Sequence, residues 1–129
     1  MASSALITGG TGGLGAAVVR AFLDGGWRVV VPWIAERELE RVPEHEALEL
    51  RRADLFDAQA VQEVVDAAAA SGDAPLRAVV NLVGGYAAGG RVHETPLEDF
   101  RRQLALNLEP TYLVIAASAP HLIAAGGGS

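Results

Sequence analysis

The chain has 129 residues, a formal net charge of −6, an apolar fraction of 50% and no cysteine. That is one domain's worth of sequence, residues 1–129, able to bury roughly two-thirds of the surface it exposes when unfolded. Such a composition excludes a disordered chain. The acidic balance argues against a nucleic-acid partner, and the lack of cysteine excludes a disulfide framework or a thiolate metal site.

The histidines, His45, His93 and His121, are scattered without metal-ligand spacing, so no metal is expected. Every basic residue is arginine, and lysine does not occur. No basic segment precedes the first apolar run, so nothing reads as a signal peptide. Residues 111–129 carry no charged side chain. They are rich in Ala and Gly and include Pro120 and His121, which reads as a buried or interface helix and not a membrane span. The expectation is a cytoplasmic protein.

Ala5-Leu6-Ile7-Thr8 is a short apolar strand entering glycines. Leu14, Val18, Val19, Phe22 and Leu23 follow at helical spacing, and Gly25-Gly26 ends that helix near Asp24. Arg28 to Val31 is a second strand with Pro32 just beyond it, and Glu36 to Val42 a short charged helix. Ala47 to Arg51 is a third strand. Asp57 caps a helix running to about Ala70, with Val61, Val64, Val65 and Ala68 on one face. After the turn cluster Ser71–Pro75, the apolar run Ala78 to Val83 is a fourth strand, read as buried on both faces. A glycine-rich loop leads to Thr95-Pro96-Leu97-Glu98, which has the pattern of an N-cap, Pro at N1 and a capping-box Glu. That helix runs to about Ala125, with a kink expected at Pro110 and Tyr112 and Ser118 packed within it.

The alternation βαβαβαβα places parallel strands beside one another through right-handed crossovers. It predicts an α/β, doubly wound parallel sheet with strand order 3-2-1-4.

Thr8-Gly9-Gly10-Thr11-Gly12-Gly13-Leu14-Gly15 joins the first strand to the first helix. A loop there binds a pyrophosphate when glycines make the tight turn, admit the phosphate to the backbone and let helix and strand approach. Helix N–H groups then face the anion. The strand–loop–helix context is what makes this more than a flexible glycine turn.

The pattern Thr8-Gly9-x-x-x-Gly13-x-Gly15 resembles the fingerprint of the classical short-chain dehydrogenase/reductase family. The spacing Gly9, Gly12, Gly15 of the extended branch is also present. Asn81-Leu82-Val83-Gly84 stands where the classical branch carries Asn-Asn-Ala-Gly. Asn107 lies mid-helix like that family's structural and catalytic asparagine, and Asp54-Leu55 resembles its adenine-binding Asp after the third strand. The resemblance implies a Rossmann-type fold and an NAD(P)-dependent alcohol or ketone oxidoreductase. It implies cofactor contacts from Thr8, Gly9, Thr11, Gly13, Leu14, Gly15, Trp33, Asp54, Leu55, Asn81, Val83 and Gly84. Asn107 is the one catalytic residue it carries over.

Cofactor choice stays open between NAD and NADP. Trp33-Ile34 occupies the end of the second strand, where an acidic residue marks an NAD site and Arg an NADP site. Glu36 and Arg37 stand just beyond.

The family's general acid/base is a Tyr whose pKa is lowered by a Lys four residues on. A free Tyr titrates near 10 and is a poor base at neutrality. Without lysine no such pair exists here; Tyr86 and Tyr112 lack even an Arg at that spacing. The family's Ser follows a fifth strand, and Gly126-Gly127-Gly128-Ser129 resembles the turn that leads into it. The expectation is therefore an incomplete domain, inactive by itself, that stops before the fifth strand. An alternative is a non-catalytic dinucleotide sensor, complete as it stands. An apolar edge at Val79–Val83 and an apolar last helix would favour a homo-oligomer.

Overall fold

The computed structural model describes residues 2–129. Strands β1 (Ser4–Thr8), β2 (Arg28–Trp33), β3 (Leu48–Arg52) and β4 (Leu76–Asn81) form one parallel sheet in the order β3-β2-β1-β4. Helices α1 (Gly13–Asp24), α2 (Ala58–Ala69) and α3 (Leu97–Ala124) connect or follow them. The predicted strand order and doubly wound class are the observed ones.

Alternating residues of each strand serve opposite faces. Ala5, Ile7, Val29 and Val31 pack with Val19 and Leu23 of α1. Leu6 and Val30 pack on the other face with Val61, Val64 and Val65 of α2 and Val114 of α3. The helices therefore cover both faces, which leaves the carboxyl ends of the strands as the open rim.

Arg28 ties this frame together at the opposite end. Its guanidinium donates to the Ala67 and Ala68 carbonyls, both at 3.1 Å, closing the C-terminus of α2. It also donates to Glu49 Oε2 at 2.8 Å. The N-terminus of α2 is capped as its sequence predicts, with Asp57 Oδ1 accepting the Gln59 N–H at 3.0 Å.

Several boundaries differ from the sequence reading. β2 continues through Pro32 and Trp33, beyond Val30, the last of its residues registered with β1. There it has only β3 as neighbour, so a proline is tolerated. The charged segment after it is a 3-10 helix, Glu36–Arg41. β4 begins two residues earlier than expected, because Ser4 fixes it: the Ser4 N–H donates to Pro75 O and its Oγ to Ala74 O. β4 is also only half-buried beyond Ala78, not enclosed on both faces.

The capping box expected at Thr95–Glu98 does not form. α3 starts at Leu97 with Pro96 as its flanking residue. Thr95 Oγ1 instead donates back to Arg91 O at 2.8 Å, closing a short 3-10 turn at Val92–Glu94. α3 then runs unbroken through Pro110 and Pro120. Ser118 is buried, its Oγ on Val114 O at 2.7 Å, but Tyr112 is 70% exposed and not packed.

Residues 127–129 return to the open side of β4. Ser129 N–H donates to Arg77 O at 2.9 Å, and Ser129 O accepts the Val79 N–H at 2.8 Å. These are two rungs of a ladder, and they cover the apolar Val79–Val83 edge at its first residue. No helix among the described residues is long and apolar enough to cross a membrane.

Candidate functional site

The glycine loop between β1 and α1 is shaped by three distinct constraints. Gly9 has φ +69, and a Cβ there would lie 2.7 Å from the backbone of Leu82. Only glycine combines that left-handed turn with so close an approach to the exit of β4. Gly15 packs onto the same turn, where a Cβ would overlap Gly9 O. Gly13 is different: it is exposed, with nothing within 4 Å of a Cβ position. Its side-chain space is open at the start of α1.

No side chain caps α1, and no acidic residue stands in its first turn. The helix therefore presents its first N–H groups and positive end to whatever occupies the rim, a ready anion site. Leu14, in that first turn, is 70% exposed.

A cavity of about 440 Å³ opens beside this loop. Its walls are the loop (Gly9, Thr11, Gly12), the exit of β2 (Pro32 to Ala35), the exit of β3 (Ala53 to Phe56) and the exit of β4 (Leu82 to Gly84). Glu38, Leu106 and Pro110 complete it. A crevice outside the carboxyl ends of parallel strands, at the point where strand order reverses, is where such sheets bind ligands.

Of the residues singled out from sequence, Gly9, Thr11, Trp33, Asp54, Leu55, Val83 and Gly84 meet around this cavity. Asp54 has its Oδ1 on the Phe56 N–H at 3.0 Å, which orients the loop after β3. Thr8, Gly13, Leu14, Gly15, Asn81 and Asn107 do not line it. Thr8 is buried and locks β1 to the exit of β4, its Oγ1 accepting the Leu82 N–H at 3.2 Å. Asn81 Oδ1 is buried without a hydrogen-bond partner among the described residues.

Asn107 bridges α3 to the β4 exit. Its Oδ1 accepts the Gly85 N–H at 3.0 Å, and its Nδ2 donates to Gln103 O at 2.9 Å. A Cβ on Gly84 would come within 2.5 Å of that Oδ1. Both ends of the amide are therefore engaged, and the side chain fixes the backbone of Gly84 and Gly85. Tyr86, just beyond, is 91% exposed.

Sequence reasoning missed Glu38. In a 3-10 helix residues three apart share a face, so Ala35 and Glu38 both face the cavity, whereas Glu36 and Arg37 are exposed away from it. Glu38 Oε2 accepts from Thr11 Oγ1 at 2.8 Å, joining the glycine loop to the β2 exit. Reading the segment with a three-residue period would have found it.

Comparison with known proteins adds the following. A family profile described as "short chain dehydrogenase" matches residues 3–129. A probable galactose dehydrogenase of Rhizobium meliloti is 36% identical over 96% of this chain and 50% of its own length. The 2,5-dichloro-2,5-cyclohexadiene-1,4-diol dehydrogenase LinX of Sphingobium indicum is 33% identical over 97% of this chain and 51% of its own. Among solved structures, ElxO with NADP bound superposes with a TM-score of 0.87 at 25% identity, covering 99% of this chain and 53% of that one. The chain thus spans about half the length of the relatives it matches.

Proposed function

This chain belongs to the short-chain dehydrogenase family, and from that premise we propose that it is the cofactor-binding part of an NAD(P)-dependent oxidoreductase acting on alcohols or ketones. The observation that carries the reading is the uncapped N-terminus of α1 behind an open Gly13, set beside a cavity walled by the exits of every strand. The pyrophosphate would lie on the Gly12–Gly15 backbone, where a side chain at residue 13 would intrude. Asp54 and Leu55 would hold the adenine, and Trp33 would flank it. Asn81, Val83 and Gly84 would face the ribose and nicotinamide side. Bound there, the cofactor supplies the hydride.

Asn107 is a positioning residue in this reading, holding Gly84 and Gly85 and supporting a proton relay. The relay's Tyr-x-x-x-Lys pair does not occur in these residues, so the chain alone should bind cofactor without turnover. A cytoplasmic location belongs to the same reading, since the cofactor is an intracellular metabolite.

Self-association is a further part of it. Phe100, Leu104, Leu108, Tyr112 and Ile115 are exposed along one side of α3. Such a stripe is suited to a second copy or to further chain.

Titration of the chain with NADH and NADPH, followed by nicotinamide fluorescence and energy transfer from tryptophan, tests the proposal. Saturable enhancement with at least one of them is expected. No response to either would reduce the glycine loop to a turn.

A further inference from the structure

The cavity wall carries charge of one sign. Among the described residues its ionisable groups are Glu38 and Asp54, and no Arg or His lines it. Trp33 and Ile34 fill the exit of β2, where a selecting side chain would ordinarily reach the adenosine ribose. Neither can hydrogen-bond a ribose hydroxyl through a carboxylate or neutralise a phosphate.

Glu38 stands in for that missing group from one turn further along. It is half-buried, and its Oε2 is held by Thr11 Oγ1 at 2.8 Å. That bond fixes the carboxylate between the glycine loop and the β2 exit, which is the span a ribose must cross between pyrophosphate and adenine. Arg37, the neighbouring cation in sequence, is exposed and off the wall. Arg20 and Arg41 are likewise off the wall, and Arg20 Nη2 donates to the Arg41 carbonyl at 3.1 Å.

Resting on the proposed function, we infer that Glu38 is the specificity-determining residue for the cofactor and that the chain selects NAD over NADP. Its carboxylate accepts from a free ribose 2′-hydroxyl. A 2′-phosphate would add a second anion to a wall with no cation to meet it, and like charges set face to face are a strong selecting element. Thr11 serves as its positioning partner.

The test is equilibrium binding of NADH and NADPH to the chain and to Glu38→Gln and Glu38→Arg, with circular dichroism to show that each variant is folded. The unsubstituted chain should bind NADH more tightly by about tenfold or more, as a juxtaposed like charge implies. Glu38→Gln keeps an acceptor for Thr11 and removes the charge, so the preference should shrink towards parity. Glu38→Arg should reverse it. Equal or tighter NADPH binding by the unsubstituted chain would overturn the inference while leaving the proposed function standing. So would a preference that survives Glu38→Gln intact. Binding of neither nucleotide would overturn both.

Discussion

Alanine at Gly13 and at Gly15 should have opposite effects, although both belong to one fingerprint. At Gly15 the new Cβ would overlap Gly9 O, with Gly9 C at 2.6 Å and Gly10 Cα at 2.7 Å. All are backbone atoms, so no side chain can rotate aside and either the turn or α1 must move. Overpacking of this kind costs about 1–3 kcal/mol. At Gly13 nothing lies within 4 Å, and alanine in place of glycine favours a helix by about 0.5–1 kcal/mol. Gly13→Ala should therefore hold or raise the melting temperature by a few degrees, while Gly15→Ala lowers it by several. Nucleotide titration supplies the second axis. Gly13→Ala should weaken NADH binding despite its intact fold, because the added methyl group occupies the phosphate's approach. Thermal melts and titrations of both variants decide the matter. A Gly13→Ala chain as destabilised as Gly15→Ala would refute the steric assignment. One that is stable and binds NADH as before would refute the phosphate site.

Arg28→Met should lower stability by about 1–3 kcal/mol in denaturant titration, since it leaves the α2 terminal carbonyls and Glu49 Oε2 without their donor, while Arg51 still bonds Glu49 Oε1. Glu49 titrates below its ordinary value of 4.5, held there first by the hydrogen bond from Arg51 and then by Arg28, against the opposing cost of burial. A depressed folded-state value means that its contribution is present above the unfolded pKa and is lost as pH falls through the folded one. Stability should therefore decline below about pH 4.5, and Glu49→Gln should flatten that limb by a few tenths of a kcal/mol, as expected of a partly exposed, solvent-screened pair. Leu108→Glu should convert an associated chain to monomer in sedimentation velocity with no loss of helix by circular dichroism; unchanged association would exclude the α3 stripe.

Much of the frame is legible in the sequence because local signals and tertiary packing agree. The short apolar runs at Ala5–Ile7 and Val29–Val31 predict strands, and both form there with residues buried on each face of the sheet. Asp57 caps α2 as its position implies. Legibility fails where a partner distant in sequence decides. β4 starts at Leu76 because Ser4 reaches Ala74 and Pro75, which no local pattern around Arg77 reveals. Tyr112 reads as a packed residue at the start of the uncharged stretch 111–129, yet it falls on the exposed stripe beside Leu108 and Ile115. Among the site residues, motif membership proved separable from placement on the cavity. Thr8 and Asn107 fix strand exits and loops without lining it, and Gly15 serves the close approach of helix to turn. Glu38 belongs to no motif and reaches the wall only through the 3-10 period of its segment.

Dinucleotide binding at the rim beside the glycine loop can be followed through the backbone amide shifts of the 129-residue chain as NAD is added. Saturable shifts are expected, concentrated at Thr11–Gly15, Trp33–Glu38, Asp54–Phe56 and Leu82–Gly84. Shifts confined to the exposed loop between Gly84 and Thr95, or none at any of these amides, would contradict it.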